Sequence, residues 1–442
     1  MRTRIGRLVP LLTVIAMLAG ACGTSDETTT TTTEATSDST TTTAAEEVVI
    51  DWWHIQNSDP GLSIWQDAAD AYMAEHPNVR INITVQENEA FKAALQTNLQ
   101  AGNPPDIFQS WGGGGLKVQV DEGLVQDITA LCADWIDGLN PAAVGMYQVD
   151  GKQYGIPFDL GAVGMWYNKA LFAQAGIEAP PVTWEELLED VQKLKDAGIT
   201  PIAVAGGDKW PAMFWWAMLS LRIGGGDALA QAAIDGSFDS EPFIKAAEEL
   251  QRLAEMEPFQ PGFLAAPWDG AGGEASVIAN REAAMHLMGQ WAPGTQRANS
   301  PDGEGLGSDL GWFAFPAVEG GLGDAYDVYG GGNGFAVGKD APPEAVDFLR
   351  YISSDEVARR LGETGTALTV TISAVDSITD PDLVSVLDSR AKAKFVQLYL
   401  DQAFAPQVGA AINDGVQALL AGTMTPEELC DSVAAAFAAS AG

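Results

Sequence analysis

Cations, histidines and cysteines are scarce in this chain of 442 residues. Lys and Arg number 23 against 60 Asp and Glu, a formal charge of −37. Binding to nucleic acid needs cations that displace counterions from phosphates, so no nucleic-acid partner is expected. The same deficit argues against docking on an anionic membrane surface. Three His and three Cys leave little for a multi-zinc site or a disulfide-rich scaffold, and neither metal nor cofactor is expected. A Gly-x-Ser-x-Gly elbow, a His-Glu-x-x-His zinc motif and an internal repeat are all missing, which disfavours the common hydrolases, solenoids and propellers. What is abundant is Trp, at 13, and Gly, at 48. The length allows two or three domains.

The N-terminus carries Arg2, Arg4 and Arg7 ahead of an apolar run over 8–18. That run is too short to span about 30 Å of hydrocarbon and has signal-peptide geometry. It ends Leu18-Ala19-Gly20-Ala21-Cys22, which resembles a bacterial lipobox, with Ala19 where Leu is usual. Residues 1–21 are therefore expected to be a cleaved leader and Cys22 to be lipidated. The 22–47 segment is Thr, Ser, Asp, Glu and Ala without large apolar side chains, so it reads as a disordered tether. The expectation is a lipid-anchored protein on the outer face of the cytoplasmic membrane, extracellular or periplasmic, which meets the membrane through that anchor only.

Beyond the tether the pattern alternates. Residues 48–54 read as a strand, 64–75 as an amphipathic helix, 79–86 as a strand, 90–100 as a helix and 106–109 as a strand. That order predicts a parallel α/β sheet with ligands beyond the C-terminal strand ends, at 54–58, 86–89 and 109–115. Further along, 184–197 reads as a helix capped by Thr183 and Gly198, with strands at 199–204, 285–288, 311–316 and 334–337 and a helix at 343–353.

Gly155-Ile156-Pro157, then Trp166-Tyr167-Asn168-Lys169, then Pro181-Val182-Thr183-Trp184-Glu185-Glu186-Leu187 form an ordered set. With Asn103-Pro104-Pro105-Asp106, Gly289-Gln290-Trp291, the Gly run at 330–334 and Thr425-Pro426-Glu427-Glu428, the set resembles the family 1 extracellular solute-binding proteins of ABC sugar importers. The resemblance implies a two-lobed α/β chain of the periplasmic-binding-protein type II fold, each lobe a mixed sheet flanked by helices, with the ligand cleft between them. It places lobe 1 at 48–157 and 307–340, lobe 2 at 158–306 and 341–442, and crossings near Pro157, 301–311 and 338–343. It implies a sugar ligand, ABC permease subunits as partners and a monomer without catalysis. Trp53-His54 and Phe108-Gln109-Ser110-Trp111 look most like members that bind xylo- or cello-oligosaccharides.

A pyranose offers apolar C–H faces and a rim of hydroxyls. Trp faces cover the former, and Asp, Glu, Asn, Gln, Lys and His bond the latter. The stacking candidates are Trp53, Trp111, Trp210, Trp268 and Trp291, with Trp52 assigned to the core as the strand neighbour of Trp53. His54, Asn57, Glu87, Asn88, Gln109, Asp159, Lys209 and Asp269 are candidate hydrogen-bonding groups, and Gly332 and Asn333 sit in a loop that lets backbone approach a ligand. Rival readings are a non-sugar solute such as a polyamine or peptide, and a secreted glycoside hydrolase. With Cys22 lipidated, Cys132 and Cys430 remain as an even pair in an oxidising compartment, so a disulfide and two buried thiols both stay open.

Overall fold

The computed structural model describes residues 46–440. The expected leader and Cys22 lie outside the described residues. Strand Val48–His54 pairs in parallel with Val79–Val85 on one side and Ile107–Ser110 on the other. Helices Gly61–Glu75 and Asn88–Gln100 make the two crossovers. The second starts earlier than its apolar pattern predicts, because the Glu87 carboxylate accepts the N–H groups of Glu89 and Ala90 and caps it there. Gly334–Val337 then enters antiparallel between Ile107–Ser110 and Gly155–Pro157, completing a five-stranded mixed sheet.

A second sheet has four strands in the order Leu310–Phe313, Gly164–Asn168, Ala283–Met288, Thr200–Ile202. Its helix Trp184–Asp196 opens on a capping box between Thr183 and Glu186. Helix Trp210–Asp235 is buried on every side from Trp210 to Arg222, as expected of a helix apolar all round. Each sheet has its own core. In the first, Trp52 meets Trp65, Phe335 and Phe348 edge-on at 5.7, 5.2 and 5.0 Å.

The chain changes lobes at three places, and only the first was expected. Leu310–Phe313 pairs with Gly164–Asn168 in the second sheet, so no crossing occurs near 301–311 and these residues leave lobe 1. The second crossing is 331–333, between strands Val328–Gly330 and Gly334–Val337. Helices Pro343–Ile352 and Asp355–Glu363 bury Val346, Phe348, Leu349 and Leu361 in the first core, so they belong to lobe 1 and the third crossing lies at 364–380. Cys132 and Cys430 are free and buried, one in the first core and one in the second, which removes the bridge.

The lobes also meet at a tight seam. Helix Gly113–Asp121 of lobe 1 lies against the short helix Leu400–Ala403 of lobe 2. A Cβ on Gly114 would sit 2.4 Å from the carbonyl carbon of Phe404, whereas one on Gly115 would have nothing within 4 Å. Gly114→Ala should therefore wedge the lobes apart and raise the radius of gyration in small-angle scattering. Gly115→Ala should leave it unchanged. Equal scattering from the two variants would mean that this seam does not set the lobe separation.

Candidate functional site

Between the lobes lies a cleft with about 940 Å³ of free space, its open mouth included. It sits beyond the C-terminal ends of the first-sheet strands, where open α/β sheets bind ligands. Lobe 1 contributes the 55–58 loop, Glu87, Asn88, Lys92 and Trp111. Lobe 2 contributes Trp210, Phe214, Trp268, Asp269, Trp291, Thr295, Tyr399, Asp401 and Gln402, and Asn333 enters from the second crossing.

The lobe 2 side is an aromatic wall. Trp210 lies 5.2 Å from Phe214, 6.0 Å from Trp268 and 6.2 Å from Trp291. Tyr399 stacks on Phe214 at 5.6 Å. Behind Trp268 the fully buried His286 ring stacks nearly parallel, at 6.0 Å. Its Nδ1 is 2.8 Å from Glu274 Oε1 and its Nε2 is 3.0 Å from Gln296 Nε2. Burial holds His286 down to about 3 and pushes Glu274 well above the usual carboxylate range, so neutral groups back the wall. Opposite stands Trp111, edge-on to Phe91 at 6.2 Å and with Lys92 Nζ 5.5 Å over its ring. Asn57 Nδ2 of lobe 1 reaches Asp269 Oδ2 of lobe 2 at 3.5 Å, across the mouth. Trp210 Nε1 and Asn88 Oδ1 have no protein partner.

Of the residues singled out from sequence, Asn57, Glu87, Asn88, Trp111, Trp210, Trp268, Asp269, Trp291 and Asn333 line the cleft. Six others do not. Trp53 and His54 belong to a strand with a neighbour on each side, so both point into packing rather than beyond the strand end. His54 is fully buried against Trp52 at 4.8 Å, and burial lowers its pKa to about 4. Gln109 is fully buried and donates to Asn333 Oδ1 at 2.9 Å. Lys209 turns away to pair with Asp414 at 2.6 Å. Gly332 is a crossing residue, where a Cβ would meet the Asp159 carbonyl oxygen at 2.2 Å. Asp159 lies beneath the cleft rather than in it.

Three lining residues missed in the sequence follow one rule. Lys92, Phe214 and Thr295 each sit four positions after a residue that was found, Asn88, Trp210 and Trp291, and so share its helix face. Ile55, Gln56 and Ser58 are loop neighbours of Asn57. Tyr399, Asp401 and Gln402 arrive from the C-terminal part of the chain, and only Gly113 and Gly114, which let that segment approach, left a trace.

Asp159 joins all three crossings. It sits in the first; Asn333 Nδ2 of the second donates to its Oδ2 at 2.9 Å, and the Leu368 N–H of the third donates to its Oδ1 at 2.9 Å. Gln290 Nε2, at the end of strand Ala283–Met288, adds a third donor at 2.5 Å. Burial is the main influence and raises its pKa to about 6, against the pull of those three donors and of Arg390. The folded value exceeds the unfolded 3.8, so its protonated form favours folding: the contribution is present below pH 4 and lost as pH rises through 6. The stability difference between wild type and Asp159→Asn should fall by up to about 3 kcal/mol from pH 4 to pH 7. Urea denaturation at several pH values checks this, and a difference that stays flat or rises would contradict it.

Comparison with known proteins adds the family. The family described as bacterial extracellular solute-binding protein matches residues 57–359. An uncharacterised ABC transporter extracellular-binding protein of Pyrococcus horikoshii is 27% identical over 237 residues, 52% of this chain and 53% of that protein. This chain thus spans about half the length of that curated relative. The diacetylchitobiose-binding protein of Streptomyces coelicolor is 26% identical over 314 residues, 69% of each chain. Among solved structures, a protein from work on xylan utilisation by Caldanaerobius polysaccharolyticus superposes with a TM-score of 0.79 at 28% identity, covering 87% of this chain and 99% of that one. A chitin oligosaccharide binding protein, at 24% identity, shares the fold with a TM-score of 0.81 over 90% of this chain and all (100%) of the other. The fold with two mixed sheets and a cleft between the lobes is thus shared with those neighbours, and the chain belongs to the bacterial extracellular solute-binding protein family.

Proposed function

We propose that this protein captures a mono- or short oligosaccharide, of xylo- or cello-type, in the interlobe cleft and delivers it to an ABC permease without transforming it. The observation that carries this reading is the wall of Trp210, Trp268 and Trp291 facing Trp111 across the cleft, with unpaired donors and acceptors between them. Stacked indoles suit the apolar faces of pyranoses, and the unpaired groups suit their hydroxyls. An unpaired buried polar group costs on the order of 1–3 kcal/mol, so a sugar that satisfies Trp210 Nε1 and Asn88 Oδ1 is favoured over one that does not. Relatives named for diacetylchitobiose, xylan utilisation and chitin oligosaccharide support a saccharide ligand. The cleft carboxylates act as acceptors rather than as an acid–base pair. Glu87 caps its helix, and Asp269 Oδ1 receives Asn299 Nδ2 at 2.6 Å and the Gly270 N–H at 2.7 Å.

The protein works as a monomer held by lipid on Cys22. No helix among the described residues is long and apolar enough to cross a membrane. Cys22→Ala should release the protein into the medium or leave it uncleaved. A mutant that stays membrane-bound at unchanged mature mass would contradict the anchor.

Binding is tested by thermal stability with xylo-, cello- and chito-oligosaccharides, where ligand at about 100 times its Kd stabilises by about 2.7 kcal/mol. Trp111→Ala and Trp291→Ala should each raise the Kd of the sugar that binds at least about tenfold by calorimetry. Trp111 is half-buried at the cleft edge, so its variant should keep the ligand-free melting temperature. Unchanged affinity with a sharp fall in melting temperature would make these residues packing groups only.

A further inference from the structure

The cleft has a charge character that sugar binding alone does not require. Its ionisable lining is Glu87, Asp269 and Asp401 against one ammonium, Lys92, which is already paired with Glu89 at 2.9 Å. Behind Trp268 lies a further carboxylate, Asp208, which accepts the Trp268 N–H at 2.7 Å. Helix N-termini are the usual alternative seats for an anion, and five helices begin at this cleft, the shortest being Leu400–Ala403. Each has leading N–H groups that are committed or absent. The Glu87 carboxylate takes those of Glu89 and Ala90. Pro211 and Pro293 open the next two helices and have no N–H, while those of Trp210 and Ala292 donate to the Asp208 and Gly289 carbonyls at 2.7 and 3.1 Å. At the fourth, Gly112 and Gly113 donate to Ser110 Oγ and the Met146 carbonyl, each at 3.1 Å, and at the fifth the Leu400 N–H donates to Tyr329 Oη at 3.1 Å.

One polar group of the lining remains open on a side chain more than nine-tenths buried: Trp210 Nε1, with 7% residue exposure. It calls for a ligand with oxygen or hydroxyl groups. Indole faces beside carboxylates also hold an ammonium well. We propose that the cleft sorts sugars by charge: it refuses one bearing a carboxylate, admits a neutral one and holds most tightly one bearing a protonated amine. This rests on the sugar-binding reading above. A uronate enclosed here faces three carboxylates with no free cation among the described lining residues, and like charges in a partly desolvated cleft repel far more than in water.

The test is calorimetry with three trisaccharides on one β-1,4-glucan scaffold: cellotriose, the trimer of glucosamine, and cellotriose oxidised to carboxylates at C6. At low salt the glucosamine trimer should bind at least about tenfold tighter than the oxidised one, with cellotriose between them. From about 10 mM to about 500 mM NaCl, where the Debye length falls from roughly 30 Å to a few Å, the spread should narrow from both ends while cellotriose holds. An oxidised trimer that binds as well as cellotriose overturns the proposal. So does a ranking that salt leaves unchanged, because the discrimination is then steric. If xylo-, cello- and chito-oligosaccharides all fail to bind, it is the sugar reading itself that fails.

Discussion

One buried carboxylate holds the two halves of this molecule in register. Asp159 receives hydrogen bonds from the second crossing, from the third and from the end of a second-sheet strand, while its own backbone forms part of the first. Asn333 extends the tie into the first sheet by accepting from Gln109 on strand Ile107–Ser110. Backbone bonds reinforce it: the Phe158 and Asp159 N–H groups share the Asn333 carbonyl, and the Leu160 N–H reaches that of Leu368. Burying a carboxylate is costly unless its oxygens are satisfied. Here every donor comes from a segment that must stay near the hinge axis, so electrostatic satisfaction and lobe geometry are one requirement.

The cleft inherits its form from that constraint. Each lobe is packed around its own core, so each wall of the cleft is backed by close-packed side chains. The lobe 2 wall is stiff because Trp268 rests on His286, itself held by Glu274 and Gln296 without exposure to water. The lobe 1 side is held by caps and edges, with Glu87 fixing a helix start and Phe91 supporting Trp111. At the seam, glycine lets helix Gly113–Asp121 approach backbone of the other lobe closely enough to bring Tyr399, Asp401 and Gln402 to the ligand space. A ligand that touches both walls favours the arrangement of the lobes in which it makes the most contacts.

Much of the fold was legible because it is locally encoded. The alternation from Val48 to Ser110 follows hydrophobic period, and its helix and strand limits move only where a cap such as Glu87 decides. Crossings were not legible in the same way. Whether Leu310–Phe313 pairs with one sheet or the other depends on partners over a hundred residues away in sequence, and helix Pro343–Ile352 would read alike in either core. The cleft divided along the same line. Loop and helix-start residues such as Trp111, Trp210 and Trp291 carry a local signal of exposure after a strand or before a helix, and the helical period extends it to Phe214 and Thr295. Trp53, His54 and Gln109 have similar chemistry, but interior strands of the sheet bury His54 and Gln109 and pack the half-buried Trp53 against a core cluster.

A sugar bound in the cleft must lie between the lobes and touch both. A crystal structure of the protein soaked or grown with the oligosaccharide that most raises its melting temperature tests it directly. Sugar rings are expected in the cleft, their faces against Trp111 on one side and the Trp210–Trp291 wall on the other, with Trp210 Nε1 donating to a ring or hydroxyl oxygen. Sugar bound on an outer face of either lobe, with the cleft left empty, would contradict it.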